Sequence, residues 1–498
     1  MKNFKIANYR PIVLSAICLA LGIFVGALTG ISRVGFFIAL ALLVVGFILS
    51  LFLKFSSLRI ATIFLLIGFI AISVVGLVKQ TPYVAYDSTY LEGRVKEVSL
   101  ANKETNRYVI EDATILGDEV AGLVTVDCEA VFEVGDRVGV SGSFSTIEYN
   151  PFNSYSVSKY IENVKYKMSD CTGQKIGETP LSLVELVRVK IVKTYVERMG
   201  PDEGGVALGL VLGDTSYIDY DTATDMSMSG LSHLFSVSGL HVGFMSVLVF
   251  LVLRLFRVSK QKSLIWVVAV LFTYGLLTGF PVGVIRASIM SVLMLYSEIK
   301  KQRYDQLNGL ATATIILLLI NPLELFSVSF LLSIGAVFGI VCFLWSFRNL
   351  YTGDKFIVKT LVSSVGVSIS ANVFVLPIAS YYFGRISLYF VLANIIVVPI
   401  ASLLYSLLVP ITTLSILIEP IGILLTPFSI PIVGINAIST FVANLPFSTL
   451  QIEAPMLSSL LLSFGAVVLS KFYMGSKYSK IVLFSLSFLA CALIFLLF

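Results

Sequence analysis

P-I-V-L-S-A-I-C-L-A-L-G-I-F-V-G-A-L-T-G-I, residues Pro11–Ile31, contains no charged side chain. A helix needs about 20 such residues to cross the hydrocarbon core of a bilayer. The run is continuous and does not alternate, which selects a helix over a membrane β-strand. Val34–Leu53 and Leu58–Val78 repeat the pattern at once. No clear small-residue cleavage site separates the three, so the N-terminus does not read as a cleaved signal peptide. Composition agrees along the whole chain. Of 498 residues, 57% are hydrophobic and 13% charged, with a mean hydropathy of +0.93. Soluble domains carry about 25% charge. The chain is therefore expected to be a polytopic helical membrane protein.

Working outward, the loop charges set an orientation. Lys2, Lys5 and Arg10 precede the first run, and Lys54 and Arg59 lie between the second and third. Both groups read as cytoplasmic, which places residues 80–180 outside. Later basic clusters fit the same alternation: Arg254 to Lys262, Lys300 to Arg303, Arg348 to Lys359 and Lys471 to Lys480.

The polar segment 80–180 reads as β. Thr89–Val98, Arg107–Leu116, Gly122–Phe132, Arg137–Phe144 and Val164–Met168 are rich in Val, Tyr and Ile. Turn-formers such as Gly117-Asp118 and Gly135-Asp136 separate them. Five short strands in this length suit an OB-like barrel. Such barrels can hold single-stranded nucleic acid on aromatics in a basic groove. Here residues 82–180 are acidic, with nine Lys and Arg against sixteen Asp and Glu. Phosphate neutralisation dominates non-specific affinity, so the segment reads equally as a folding or docking module. Cys128 and Cys171 lie in it and are a candidate disulfide for an oxidising compartment. Cys18, Cys342 and Cys491 sit in apolar runs as core residues. No cysteine spacing suggests zinc.

The expected fold class is an all-α polytopic membrane protein with an inserted small external β-barrel (OB-like) domain. Residues 1–79 form three N-terminal spans and residues 80–180 the external domain. Residues 181–229 carry an amphipathic basic helix, Leu181–Met199, and an acidic loop, Asp214–Asp225. Residues 230–498 form the main bundle. Between Pro410 and Pro446 two apolar runs are broken by Glu419-Pro420, Pro427 and Pro431. Span parity requires one of these to be re-entrant or interfacial.

The whole chain has two histidines, and both fall in G-L-S-H-L-F-S-V-S-G-L-H-V-G-F, Gly230–Phe244. His233, Ser236, Ser238 and His241 thus gather at the mouth of an apolar run. Polar groups at membrane depth are costly unless they line a cavity or a path. These four are candidates for a translocation path, or for a structural polar knot between helices. Two histidines eight apart lie some 12 Å apart along an unbroken helix, too far for one metal, and no cofactor is expected. Arg286, in P-V-G-V-I-R-A-S, either snorkels or faces a cavity that carries an anion. Asn394, in L-A-N-I-I-V-V-P, makes a helix–helix bond or lines the path. There is no P-loop, and two histidines exclude a metallo-β-lactamase-type metal site.

Several separated blocks together resemble the ComEC-type competence membrane proteins. They are E-V-G-D-R-V-G-V-S-G from Glu133 with Asn150-Pro151, L-G-D at Leu212–Asp214, and S-G-L-S-H-L-F-S-V-S-G-L-H-V from Ser229. P-V-G-V-I-R-A-S from Pro281, N-P-L-E-L-F-S-V-S-F-L-L-S from Asn321 and F-G-R-I-S-L-Y-F-V-L-A-N-I-I-V-V-P from Phe383 follow in order. The resemblance implies a cytoplasmic-membrane channel, not an enzyme, that passes single-stranded DNA during natural transformation. It implies membrane lipids as surroundings and a DNA receptor, a cytoplasmic ATPase and a separate nuclease as partners, with a homo-oligomer open. Many relatives carry a C-terminal metallo-β-lactamase-like domain. This sequence is expected to lack it, so nuclease activity does not carry over. Two other classes remain open from the residues alone: a small-solute or lipid-linked precursor transporter, and a membrane-embedded hydrolase using Ser236 or Ser238 with a histidine.

Overall fold

The computed structural model describes residues 10–29, 33–52, 56–78, 83–100, 105–115, 117–237, 239–348, 355–452, 456–470, 479–480, 482–487 and 489–490. The three leading apolar runs are helices α1 (Pro11–Thr29), α2 (Arg33–Phe52) and α3 (Ser56–Val78). Small residues let α1 and α3 touch backbone to backbone. A Cβ on Gly22 would sit 2.1 Å from the Leu65 carbonyl oxygen, and one on Gly68 would sit 2.2 Å from that of Leu19. Lipid offers apolar side chains no reason to leave it, so close crossings of this kind are what hold membrane helices together.

The polar segment folds as strands β1 (Ala85–Leu100), β2 (Asn106–Ile115), β3 (Asp118–Glu119), β4 (Leu123–Cys128), β5 (Asp136–Thr146) and β6 (Val164–Glu178). Strand β1 pairs antiparallel with both β2 and β5. Strand β2 also pairs with β4, β4 runs parallel to β6, and β6 pairs antiparallel with β5. Alternate residues point inward, and Leu91, Val95, Ile110, Val126, Val140 and Met168 are buried. The strands are longer than their sequence runs at β1 and β6, because polar residues on the outer face extend the ladders past the apolar stretch. The sequence reading placed no helix here, yet Ser154–Ile161 is α4. Asn153 starts it by accepting from the Ser156 amide at 3.1 Å.

The α4 side of the sheet is buried on the membrane helices. Val157, Tyr160 and Val164 join one cluster with Leu19, Ile23, Leu318 and Leu323. Phe152, in the turn before α4, meets Phe24 of α1 and Phe326 at ring centroid distances of 6.3 and 5.9 Å. On the other side Arg94 of β1 ties the sheet to α5 (Leu183–Met199). Its Nη2 donates to Glu185 Oε2 at 2.8 Å, Nε donates to Thr179 Oγ1 at 2.8 Å, and Nη1 reaches Glu111. Glu185 also closes the capping box with Ser182 at the start of α5. The Arg94 hydrogen bond holds the Glu185 carboxyl down at about 2.

Helix α6 (Pro201–Leu212) is buried along Gly204–Leu212. Helix α7 (Tyr220–Met228) follows, then α8 (Gly239–Leu255), α9 (Lys260–Thr278), α10 (Val282–Ile299), α11 (Gln306–Ile320), α12 (Val328–Arg348) and α13 (Phe356–Phe383). Asn321 is a turn former, accepting from the Leu323 amide at 3.2 Å ahead of the 3-10 segment Pro322–Phe326. Helix α14 (Phe390–Leu417) runs through Pro399 and Pro410. The break lies later, in the 3-10 segment Glu419–Phe428, before α15 (Ser429–Ala443) and α16 (Met456–Leu469). Pro410 thus ends no helix, and the first apolar run after it is the tail of α14. Arg385 lies on β7 (Arg385–Ser387), paired with β8 (Thr449–Gln451). Among the described residues nine helices are long and apolar enough to cross a membrane. The molecule is a helical, multi-pass membrane protein.

Candidate functional site

The site begins on α6. Gly205 and Gly209 lie one turn apart, and Gly213 ends the helix in the left-handed conformation at φ 72°. A Cβ on Gly205 would come within 2.0 Å of the Tyr217 carbonyl, and one on Gly209 within 2.8 Å of the Phe235 ring. The glycine face of α6 is therefore a seat for the chain on both sides of α7, with Gly209 taking the segment that follows it. Leu231, Leu234, Phe235 and Val237 anchor that segment in the core, while His233 and Ser236 are exposed. The anchors are apolar because the seat is apolar, and the polar residues between them turn outward.

A 3-10 turn, Ser232–Leu234, carries His233. Its Nδ1 lies 3.1 Å from the Gly230 carbonyl oxygen. A carbonyl only accepts, so Nδ1 carries the hydrogen and Nε2 of the neutral ring is left as an acceptor. Gly230 takes a positive φ of 78°, and a Cβ there would sit 2.8 Å from the Phe390 Cβ at the start of α14. Ser238 lies outside the described residues.

His241 lies in the first turn of α8 and is 4% exposed. Its ring meets Tyr405 of α14 edge to face, with centroids 4.4 Å apart and planes at 80°. Arg286 comes from α10 to the same helix end. Its Nη2 lies 3.4 Å from where a Cβ on Gly239 would stand. Nη1 donates to the Ser333 carbonyl of α12, and Nε makes no hydrogen bond among the described residues. Arg286 as a whole is only 6% exposed, so its side chain does not snorkel out to water.

The structure thus gathers His241, Arg286 and Tyr405 around the N-terminus of α8, with His233 and Ser236 on the segment leading into it. Asn394 stands apart. It precedes Tyr405 by about three turns of α14, roughly 16 Å along the axis, and its Oδ1 has no hydrogen-bond partner among the described residues. Tyr405 was missed from the sequence. A phenol amid L-L-Y-S-L-L was the available signal, as a polar group at membrane depth. Among the described residues no group of three His, Cys, Asp or Glu could hold a metal ion.

Cys128 and Cys171 are direct register partners across β4 and β6, both buried. Both are free thiols in this structure, and Cys128 Sγ donates to the Cys171 carbonyl oxygen at 3.1 Å. Burial, then the neighbouring Cys128, pushes the Cys171 thiol up to about 12.

Comparisons with known proteins bear on this same region. The chain is 28% identical to ComE operon protein 3 of Bacillus subtilis over 387 residues, covering 75% of this chain and 47% of that protein. It is 29% identical to Recombination protein 2 of Haemophilus influenzae over 214 residues, covering 40% of this chain and 27% of that one. Competence protein ComA of Neisseria gonorrhoeae is 33% identical over 183 residues, with 34% and 24% covered. The chain spans about half the length of the first relative and about a quarter of the other two. No solved structure matches it. The family described as Competence protein matches residues 210–477, taking in the seated segment, α8, Arg286 and Tyr405. Since that match covers more than half of the sequence, the chain belongs to the competence protein family.

Proposed function

We propose that this protein passes single-stranded DNA across the cytoplasmic membrane during natural transformation, as a channel rather than an enzyme. The observation that carries the reading is the family match over the helices that surround the N-terminus of α8. The polar seam fits the cargo. A single strand needs a path that screens phosphates without gripping them, and a few His, Ser and Asn side chains with one Arg suit that better than a dense basic lining. His233, Ser236, Ser238, His241, Arg286 and Asn394 are assigned to this path.

The N-terminus is assigned to the cytoplasm and residues 80–180 to the outside. Two ion pairs support one common end for the basic loops: Arg10 to Asp305 at 2.9 Å and Lys260 to Glu298 at 2.7 Å. The external segment is assigned an OB-like barrel, supported by ladders that lead from β1 through β5, β6, β4 and β2 back to β1. Its excess of carboxylates favours docking to the bundle over a general grip on DNA. A DNA receptor, a cytoplasmic ATPase and a separate nuclease complete the proposed assembly.

The test is complementation. A competent strain lacking its own copy of this gene should regain DNA uptake when the full chain is supplied. Uptake that stays at background, with the protein present in the membrane, would reject the reading.

A bridge between Cys128 and Cys171 is part of the same assignment, because the outside is oxidising. Denatured, unreduced membranes should yield a linked Cys128–Cys171 peptide by mass spectrometry. Two alkylatable thiols after denaturation would show that no bridge forms.

A further inference from the structure

Among the described residues no Asp or Glu forms an ion pair with Arg286, and Nε lacks a hydrogen bond. Its acceptor among them is a neutral carbonyl, that of Ser333. A buried guanidinium is permanently charged and is strongly destabilising unless an anion or a set of acceptors meets it. The neighbour it does meet makes matters worse. Nη2 faces Gly239, the first residue of α8, and the N-terminus of a helix of this length carries about half a positive charge. Two positive ends point into one place.

Gly239 adds no side chain to that place. Its own chain neighbours aside, the nearest atoms to a Cβ placed there are Arg286 Nη2 at 3.4 Å and Ala287 Cβ at 3.7 Å. Gly283 lets α10 pass close to the Val237 carbonyl, where a Cβ would come within 2.8 Å. That contact fixes α10, and with it Arg286, against the segment entering α8.

We infer that Arg286 and the N-terminus of α8 at Gly239 form a binding station for one phosphate oxyanion, taken from the phosphodiester of a single strand. The inference rests on the proposed path and gives it a defined stopping point for the cargo. A fork of guanidinium donors suits a phosphate geometrically. A single station also suits transport, since one contact can be left as easily as it is made. The competing reading is a staple, in which Arg286 only ties α10 to α12 through Ser333.

The test uses the full chain in nanodiscs of zwitterionic lipid, at constant ionic strength, with a short oligothymidylate as the probe. Wild type should bind it. Arg286→Gln should bind ~10- to 100-fold more weakly, as expected for loss of a hydrogen-bonded charge. Arg286→Lys, which keeps the charge but not the fork, should fall between. Gly239→Ala, which fills the place beside Nη2 without touching the charge, should also weaken binding. Equal binding by wild type and Arg286→Gln would overturn the station and leave the staple. Loss of binding in the Gln variant that anionic lipid in the nanodisc reproduces by competition would overturn the strand as the source and assign the site to a headgroup. DNA uptake is scored separately in cells. A Gln variant that loses oligothymidylate binding yet takes up DNA normally would keep the station and remove it from the path, whereas one that binds normally yet fails in uptake would overturn the station and leave the channel reading standing.

Discussion

His241→Ala should abolish DNA uptake while the protein remains in the membrane at wild-type abundance. The imidazole is buried at the start of α8, and Tyr405 packs edge-on against it. Such an aromatic pair contributes about 0.5–1.5 kcal/mol beyond its buried area. That loss is small beside the packing of the whole helix, so the alanine protein should still assemble. What disappears is the pair of ring nitrogens, which alternate between donor and acceptor with little reorganisation. His241→Phe separates the two contributions, because it keeps the ring against Tyr405 and removes the nitrogens. It should fail in uptake as the alanine variant does. Normal uptake by the Phe variant would reduce His241 to a packing residue. His233→Ala should also abolish uptake with abundance intact. The double variant taking up DNA like wild type would remove both histidines from the path.

The second large effect is expected where α1 crosses α3. Gly22→Val or Gly68→Val would drive a side chain into a carbonyl oxygen that stands 2.1 or 2.2 Å from the new Cβ. No rotamer relieves this, since the clash is with backbone, so the helices must separate. Overpacking of a core costs about 1–3 kcal/mol when side chains can adjust, and here they cannot. Separation also withdraws Leu19 and Ile23, both fully buried, from the cluster that holds the α4 side of the sheet. Each variant should lose most of the folded protein, measured by size-exclusion profile in mild detergent and by protease resistance. Gly46→Val on α2 is the control, because a Cβ at Gly46 meets nothing within 4 Å. A Gly22→Val profile indistinguishable from that control would refute the crossing.

Helices in lipid are legible because the bilayer imposes their length, and Pro11–Ile31, Val34–Leu53 and Leu58–Val78 return as α1 to α3 with ends shifted by one or two residues. The strands were legible through alternation, which ends where outward polar residues begin, so the full lengths of β1 and β6 were not. Helix α4 was hidden because S-Y-S-V-S-K-Y-I mixes helix and strand formers, and its formation depends on the Asn153 cap and on burial of Val157 and Tyr160. Pro410 misled for a different reason. In a long membrane helix neighbouring helices and side chains can satisfy the backbone groups that proline frees, and α14 continues through it. At the candidate site, the rarity of histidine pointed to the segment that leads into α8. It could not show that α8 begins between Arg286 and Tyr405, because both arrive from runs distant in sequence. Asn394 looked equivalent to the others on one-dimensional grounds and is separated from them by the rise of α14.

The pairing of Arg10 with the cap of α11 sets an order of events during synthesis. Arg10 and Asp305 are 295 positions apart, and Asp305 accepts from Arg10 while it also holds the Leu307 and Asn308 amides. At ~10 residues per second, roughly half a minute separates the emergence of the two partners from the ribosome. Through that interval the β segment has only the α1 and α3 part of its floor, Leu19, Ile23 and Ile72, because Leu318, Leu323 and Phe326 have not yet been made. The lipid, or an insertion factor, must act as the placeholder, and the early hairpin and the late helices close on each other only when translation passes the middle of the chain.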